Sequence, residues 1–220
     1  MKKILFILLF ISFEAFSAAT PLYWIGLVDD NFDQTGNWSR SSGGEDCGCV
    51  PASSAYCIFD ANSPGSNVVS SGGTTIWGLN FTGSTVAFEL TYKDMVIEGD
   101  SIILGSTASF TAHYDVAFVV TVPNANNCYI ESDGQYFPNV LVFDDLLLTD
   151  GELLLLDDFV SEGLVFVNQG YFSTNTKNMT CYNFAAWDAG RANLEFDNST
   201  VFITGNDGGS IYDHYGTVPY

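Results

Sequence analysis

Short runs of apolar and β-branched residues recur along almost the whole chain, and this pattern most constrains the fold. Gly, Asn, Asp and Ser interrupt the runs every few residues, which is typical of strands joined by tight turns. After the amino-terminal segment, no stretch has the 3.6-residue apolar period of an amphipathic helix. The pattern therefore predicts an all-β chain. Examples of the predicted strands are 75–81, 95–97, 102–104, 116–122, 140–143, 153–156, 164–167 and 200–204.

The strands also show a spacing that resembles a repeat. The sequence Leu-Val-Phe at 141–143 recurs at 164–166, 23 residues later, and Val119 lies 23 residues before Val142. This spacing suits one turn of a β-solenoid, in which each turn adds short strands to stacked parallel sheets. The expected fold is a single-stranded, right-handed parallel β-helix with an amino-terminal cap. A β-sandwich is the alternative, because it has similar strand spacing.

The first 18 residues have the pattern of a secretory signal peptide. Lys2 and Lys3 precede an apolar run over 4–13, and small residues at 15, 17 and 19 suit cleavage after Ser17 or Ala19. The run of about ten residues is too short for a bilayer span, which needs about 20. We therefore predict export to the cell surface or medium, with no membrane span in the mature chain.

The remaining chain divides by composition into two regions. Residues 19–70 contain two tryptophans, three clustered cysteines and Ser/Gly-rich stretches, whereas residues 71–220 are dominated by strand runs. A solenoid needs a cap at its first turn, because an open sheet edge and core invite aggregation. We interpret 19–70 as this cap together with the first strands, and 71–220 as solenoid turns.

The charge balance is strongly acidic. Six Lys and Arg face 26 Asp and Glu, for a formal net charge of −20. Such a surface repels phosphates, so nucleic acid and anionic lipid are not expected as partners. It suits solvation or the binding of divalent cations.

All five cysteines lie after the signal segment, which suits an oxidising compartment. Cys47, Cys49 and Cys57 are the disulfide candidates, and a bridge from Cys57 to one of the other two is expected. A direct bond between Cys47 and Cys49 would be strained. The odd count leaves at least one cysteine unpaired within the chain.

Calcium is the one cofactor that the sequence suggests. Asp29, Asn31 and Asp33 place oxygen ligands at alternate positions, as at the start of a calcium loop. Gln34 and Arg40 stand where an EF-hand needs Gly and Glu. Asp pairs at 144–145 and 157–158 are weaker candidates, because turns favour Asp for local hydrogen bonds.

Catalytic patterns are weak, so no catalytic or cofactor-binding residue is assigned and the chain is predicted not to be an enzyme. The sequence contains no Gly-x-Ser-x-Gly, and the residues next to His113 and His214 in the sequence do not indicate a catalytic base. With so many carboxylates, pairs suited to polysaccharide cleavage carry no information. The alternative roles are a polysaccharide-degrading β-helix enzyme and a carbohydrate-binding module. The candidates for a glycan-binding strip of exposed rings are Tyr171, Tyr182, Trp187, Tyr212, Tyr215 and Tyr220.

Several segments resemble a known family. In order they are Tyr-Trp-Ile-Gly at 23–26, Gly-Asn-Trp-Ser at 36–39, Val-Pro at 50–51, Ile-Phe-Asp-Ala-Asn-Ser at 58–63, Gly-Tyr-Phe-Ser-Thr-Asn at 170–175, Lys-Asn-Met-Thr at 177–180 and the run at 194–205. Together they resemble the amino-terminal signature and repeats of large secreted bacterial surface proteins with adhesin-like β-solenoids.

The resemblance implies a non-enzymatic structural role at the cell surface, with glycans or other surface proteins as partners. It supplies no catalytic residues. The sequence departs from the family in an acidic insertion at 27–35 and in Asp197-Asn198, where the family has Gly. Members of the family are usually longer, so the expectation is a fragment or a short stand-alone member.

Overall fold

The computed structural model describes residues 19–65, 67–99, 101–113, 116–121, 127–137, 140–144, 151–187, 192–205 and 211–214. The predicted signal peptide lies outside them. Within them every regular element is a β-strand, so the all-β prediction is confirmed. The strands are β1 (Thr20–Trp24), β2 (Trp38–Ser39), β3 (Ala55–Ile58), β4 (Asn67–Ser70), β5 (Thr75–Ile76), β6 (Gly78–Asn80), β7 (Ala87–Leu90), β8 (Met95–Ile97), β9 (Ser101–Ile103), β10 (Ser109–Ala112), β11 (Ala117–Val120), β12 (Asn127–Glu131), β13 (Tyr136–Phe137), β14 (Val140–Asp144), β15 (Glu152–Leu155), β16 (Phe159–Ser173), β17 (Met179–Trp187), β18 (Ala192–Glu195), β19 (Val201–Ile203) and β20 (Ile211–His214).

The strands stack in parallel turns around three faces, which makes the fold a β-solenoid as predicted. Face 1 contains β1, β3, β6, β9, β12, β15, the end of β16, and β18. Face 2 contains β4, β7 and β10, and then β13, the starts of β16 and β17, and β19. Face 3 contains β5, β8, β11, β14, the middle of β16, the end of β17, and β20. Six successive turns run from β3 to β17, and β18 begins another.

The register gives the length of a turn. Val119 pairs with Val142, as the 23-residue spacing predicts. Leu141, however, pairs with Val165 rather than with Leu164. The Leu-Val-Phe match therefore differs from the true register by one residue, because Val165 is the side chain that faces the core. A shift of one residue would turn every side chain of the strand to the other face.

The core is a continuous column inside the three faces. Each strand turns alternate side chains inward, and the inward side chains of successive turns lie above one another. Along face 1 these include Leu22, Cys57, Leu79, Ile102 and Ile130, each paired with the next. All five are buried. Burial of apolar area at about 25 cal/mol per Å² is what stabilises such a column.

The two ends of the column differ. At the amino end, β2 pairs antiparallel with β1, and the chain from 25 to 54 folds over the first turn. At the other end, Leu194, Phe196, Val201 and Ile203 pack against the core but are only half-buried. We call the segment 25–54 the cap; the region 19–70 contains it together with β1, β3 and β4.

Candidate functional site

Aromatic side chains from three parts of the region 19–70 meet in the cap. Trp24 and Trp38 pack edge to face with ring centroids 5.3 Å apart, and Phe59 lies 5.7 Å from Trp38. Phe32 joins them at 5.0 Å from Trp38, whose indole N–H donates to the Phe32 carbonyl oxygen at 2.8 Å. Such ring pairs contribute about 0.5–1.5 kcal/mol each beyond area burial. This cluster holds the cap on the first turn.

Asn37 is the polar centre of the cap. Its side chain is fully buried, and its amide donates to the Asp29 carboxylate and to the Asn31 carbonyl oxygen, both at 2.9 Å. Its side-chain oxygen accepts the Val28 N–H at 2.9 Å. The acidic insertion is thus folded around one amide, which meets the need of a buried polar group for partners.

The three calcium candidates serve different internal contacts in the structure. Asp29 accepts the N–H of Asn31 at 3.0 Å as well as the amide of Asn37. Asn31 accepts the Asp33 N–H at 2.9 Å. Asp33 accepts the Ser71 hydroxyl at 3.0 Å and a short hydrogen bond from Thr74. In the described part of the chain, no three His, Cys, Asp or Glu residues group as a metal site would require.

The cysteines pair differently from the prediction. Cys47 is joined to Cys49, with one residue between them, and Cys57 is free. The bridge expected from Cys57 was wrong, because β3 turns this side chain into the core, where it is fully buried. Burial raises the pKa of the Cys57 thiol well above its ordinary value. Cys128 and Cys181 are also buried and form no disulfide, and burial raises the pKa of Cys181 to about 11.

Two carboxylates at a corner of the solenoid tie neighbouring turns together. Asp157 accepts the N–H and hydroxyl of Ser132, at 2.8 and 2.9 Å, in the preceding turn. Asp158 accepts the N–H of Asn178 at 2.8 Å in the following turn, and this bond is the main reason that the pKa of Asp158 is lowered. The pair considered as a calcium site thus makes contacts in both axial directions. The other pair, 144–145, lies outside the described side chains.

A carboxylate cluster lies on the outside of face 1 near its last described strand. Tyr171 donates a short hydrogen bond to Glu195. This bond is the main cause that lowers the pKa of Glu195 and raises that of Tyr171 to about 12. A hydrogen bond to Glu195 raises the pKa of Asp197, and partial burial followed by the charge of Glu195 raises that of Glu152. Tyr171 therefore serves an internal contact.

Exposed rings do occur on the outside of face 2. Tyr136, Val160, Thr180 and Phe202 pair in sequence across four strands and form one ladder. Its end members are 59% and 57% exposed. With strands about 4.8 Å apart, the two rings are about 14 Å apart along the axis. Tyr182 is 37% exposed and follows Cys181, the last residue of β17 that pairs with β19. It points to the same outer side as Thr180, two residues before it. We call these five residues the aromatic strip.

The aromatic strip overlaps the predicted set of rings in Tyr182 alone. Tyr136 and Phe202 were not predicted, although each alternates with a core residue, Phe137 or Ile203, and this alternation turns it outward. Tyr171 is half-buried. For Trp187 and Tyr212 only the backbone is described, and Tyr215 and Tyr220 lie outside the described residues.

Two shallow clefts adjoin the cap. One, of about 540 Å³, lies between 50–53 and 71–75 and includes Asp33 in its wall. The other, of about 320 Å³, is lined by 29–31, Val69, Ser71, Thr91 and the exposed Tyr92. The carboxylate of Asp33 is already engaged by Ser71 and Thr74, so the larger cleft presents mainly hydroxyl, proline and glycine surfaces.

No family model, curated protein or solved structure matches this chain. The resemblance to adhesin-like surface proteins therefore stays a prediction from the sequence. Among the described residues, no helix has the length and apolar character needed to cross a membrane.

Proposed function

We propose that this chain is a non-enzymatic structural module, exported by its signal peptide and presented at the cell surface or in the medium. The observation that carries the proposal is the column of buried side chains that runs through the stacked turns. At one corner, Asp157 and Asp158 also form hydrogen bonds to the preceding and the following turn. A continuous close-packed core makes such a rod stiff. Its outer faces and turns are then the surfaces available to partners, which are glycans or other surface proteins.

Export is the first point to test. The full chain and a variant lacking residues 2–18, each with a carboxyl-terminal tag, are expressed in a secreting bacterial host and fractionated. The full chain is expected outside the cytoplasm with a mature amino terminus at Ala18 or Thr20, read by mass spectrometry, and the variant inside. Cytoplasmic full chain that retains Met1 would contradict the proposal.

The absence of catalysis is tested separately on the purified mature protein. Plant, algal and bacterial polysaccharides are incubated with it, with and without calcium, and new reducing ends and unsaturated uronate absorbance are measured. Rates equal to the buffer blank are expected. Cleavage that survives further purification would make the protein an enzyme and would overturn the proposed role.

A second candidate function, carbohydrate binding, is favoured by one specific feature, the aromatic strip. Exposed apolar patches on a monomer are common at interaction sites, and the flat faces of exposed rings suit stacking on sugar rings. The net charge of −20 favours an uncharged polysaccharide over a polyuronate.

Matched variants test this second candidate. The double variant Tyr136→Ser with Phe202→Ser removes both end rings of the strip. Tyr92→Ser removes a ring that is 81% exposed near the other end of the solenoid. Pull-down on insoluble uncharged polysaccharides is expected to fall about tenfold for the double variant, equivalent to about 1.4 kcal/mol, and to be unchanged for the control. Equal binding by both variants would exclude the strip as the site.

A further inference from the structure

The bond between Cys47 and Cys49 joins two positions of one small loop. Other contacts already hold this loop in place. The Cys47 N–H donates to the Trp38 carbonyl oxygen at 2.9 Å, and Asp46 forms an antiparallel bridge with Ser39. The Gly48 N–H donates to the Asp46 carboxylate at 2.7 Å. The loop is therefore anchored to β2 without help from the disulfide.

A disulfide across a single residue adds little to the fold. In the chain-entropy description, a crosslink stabilises by restricting the unfolded chain, and the effect grows with the length of the loop that it closes. A bond from Cys57 to Cys47 or Cys49 would have tied the cap to face 1. The bond that is formed restricts only Gly48, so its reduction leaves the packing of the cap and core in place.

The bond is also open to attack. Gly48 is exposed, and a Cβ atom added there would meet no heavy atom within 4 Å. Cys47 and Cys49 are partly buried with one side against the core. Cys57, Cys128 and Cys181 are buried. A small thiol can therefore approach the disulfide from the Gly48 side, whereas burial shields the thiols of Cys57, Cys128 and Cys181.

We propose that the Cys47–Cys49 disulfide is an exchange site that accepts two electrons from dithiols outside the cytoplasm. A thiolate of the dithiol attacks one sulfur, the bond between Cys47 and Cys49 breaks, and the released cysteine takes up a proton. The second thiolate of the dithiol then attacks the mixed disulfide. The dithiol leaves as a disulfide, and Cys47 and Cys49 are left as two thiols.

The charge around the loop selects the attacking thiol. Glu45 and Asp46 immediately precede Cys47, and the whole chain carries a net charge of −20. The attacking species is itself an anion, so a second negative charge on it adds repulsion, and a positive charge offsets it. The preferred partner is therefore a cationic thiol or a dithiol within a basic peptide. The preference weakens in salt, because exposed charges are screened over about 3 Å at 1 M.

The test uses the folded full-length mature protein and three probes of different charge, cysteamine, 2-mercaptoethanol and 3-mercaptopropionate, at matched thiolate concentration. Newly formed thiols are alkylated at intervals and assigned by peptide mass spectrometry. We expect alkylation at Cys47 and Cys49 alone. The rate with cysteamine should exceed the rate with 3-mercaptopropionate about threefold or more at low salt, and the ratio of these two rates should be near one in about 1 M salt. Tryptophan fluorescence is expected to stay unchanged.

Two variants with the same change in net charge examine the selectivity. Glu45→Gln removes a charge beside the bond, and Glu89→Gln removes an exposed charge on face 2. The ratio of the reduction rate with cysteamine to that with 3-mercaptopropionate should move toward one in Glu45→Gln and stay unchanged in Glu89→Gln.

Three results would overturn the proposal. The bond could resist all three thiols and dithiothreitol while the protein is folded. It could be reduced only together with alkylation of Cys57, Cys128 and Cys181, which would require unfolding. The anionic thiol could react as fast as the cationic one at low salt.

Discussion

At the scale of single residues, Asn37 shows how one buried amide orders an acidic loop. Its amide group donates to Asp29, and its side-chain oxygen accepts from Val28. Asn37→Asp keeps the shape but places a second carboxylate 2.9 Å from that of Asp29. Because the amide donor is lost and like charges face each other, the free energy of unfolding should fall by about 2–4 kcal/mol at neutral pH.

The matched control for this change is Asn80→Asp. The Asn80 side-chain oxygen accepts the Thr82 N–H at 2.8 Å, and a carboxylate accepts the same bond. Urea unfolding followed by tryptophan fluorescence should therefore separate the two variants, with the control within about 0.5 kcal/mol of wild type. Equal losses in both would mean that Asn37 does not hold the loop.

Gly72 illustrates a constraint between turns. Its φ of +72° lies in the left-handed region, and a Cβ atom added there would lie 1.8 Å from the Lys93 carbonyl oxygen of the next turn. Gly134 has a similar φ of +78°, but a Cβ there would meet nothing within 4 Å. Gly134→Ala should cost about 1 kcal/mol for the backbone conformation alone.

Gly72→Ala should cost several kcal/mol, because the two turns must also separate to admit the new carbon. Thermal unfolding of the two alanine variants measures the difference. A melting temperature of Gly72→Ala equal to that of Gly134→Ala would show that the turns are not so closely packed there.

At the scale of elements, the outer ladder of face 1 couples titratable groups on different strands. Tyr171 lies on β16 and Glu195 on β18, and the phenol holds the pKa of this carboxyl below its ordinary value. Because the folded-state pKa is lowered, the contribution to stability is present at neutral pH and is lost as pH falls through the pKa. The pKa of Asp197 is raised, so its contribution to stability is present at low pH and is lost as pH rises through that pKa.

Tyr171→Phe should therefore raise the pKa of Glu195 toward its ordinary value. Carboxyl-carbon NMR titration of the folded protein measures it directly. Tyr129→Phe is the control, since Tyr129 lies on the same face three strands from Glu195. A titration of Glu195 that is the same in all three proteins would remove the phenol as the cause.

Several strand elements were predictable, and the corners between them were not. Met95–Ile97 was predicted with its observed bounds, because an isolated β-branched run leaves little choice. The predicted strand 75–81 is instead divided at Trp77 into β5 and β6, which belong to different faces. Apolar character continues through the corner because the core lies inside every face, so composition there does not mark the bend.

The candidate sites were less predictable for a related reason. Alternate residues of a strand point inward and outward, so the exposure of a ring depends on which of the two sets faces the core. A one-residue difference in register exchanges the two sets. Phe202 is exposed and Phe172 is fully buried, although both are aromatic residues in strands. The cysteine pairing likewise depended on the inward orientation of Cys57, which spacing along the chain does not show.

At the scale of the whole molecule, the turns of the solenoid differ in how deeply their aromatic side chains are buried. Each turn contacts only the turns next to it, so stability is a sum over neighbouring turns. Phe81 is fully buried beneath the cap, with its ring stacked on Phe59 at 4.3 Å. Phe196 is half-buried in the last turn and packs on Phe172 and Phe184. The turn that contains Phe196 should therefore open more readily than the turns near the cap.

Native-state hydrogen exchange with two matched substitutions tests this asymmetry. Phe196→Leu should lower the protection of amides in 192–205 and leave that of 55–103 unchanged, because opening of the last turn does not require the first to open. Phe81→Leu should lower protection in 55–103 by an amount equivalent to about 1–2 kcal/mol, because it removes a stacked ring from the tightest part of the core. If either substitution lowered protection equally in every turn, the molecule would unfold as one cooperative unit, and the sum over neighbouring turns would not describe it.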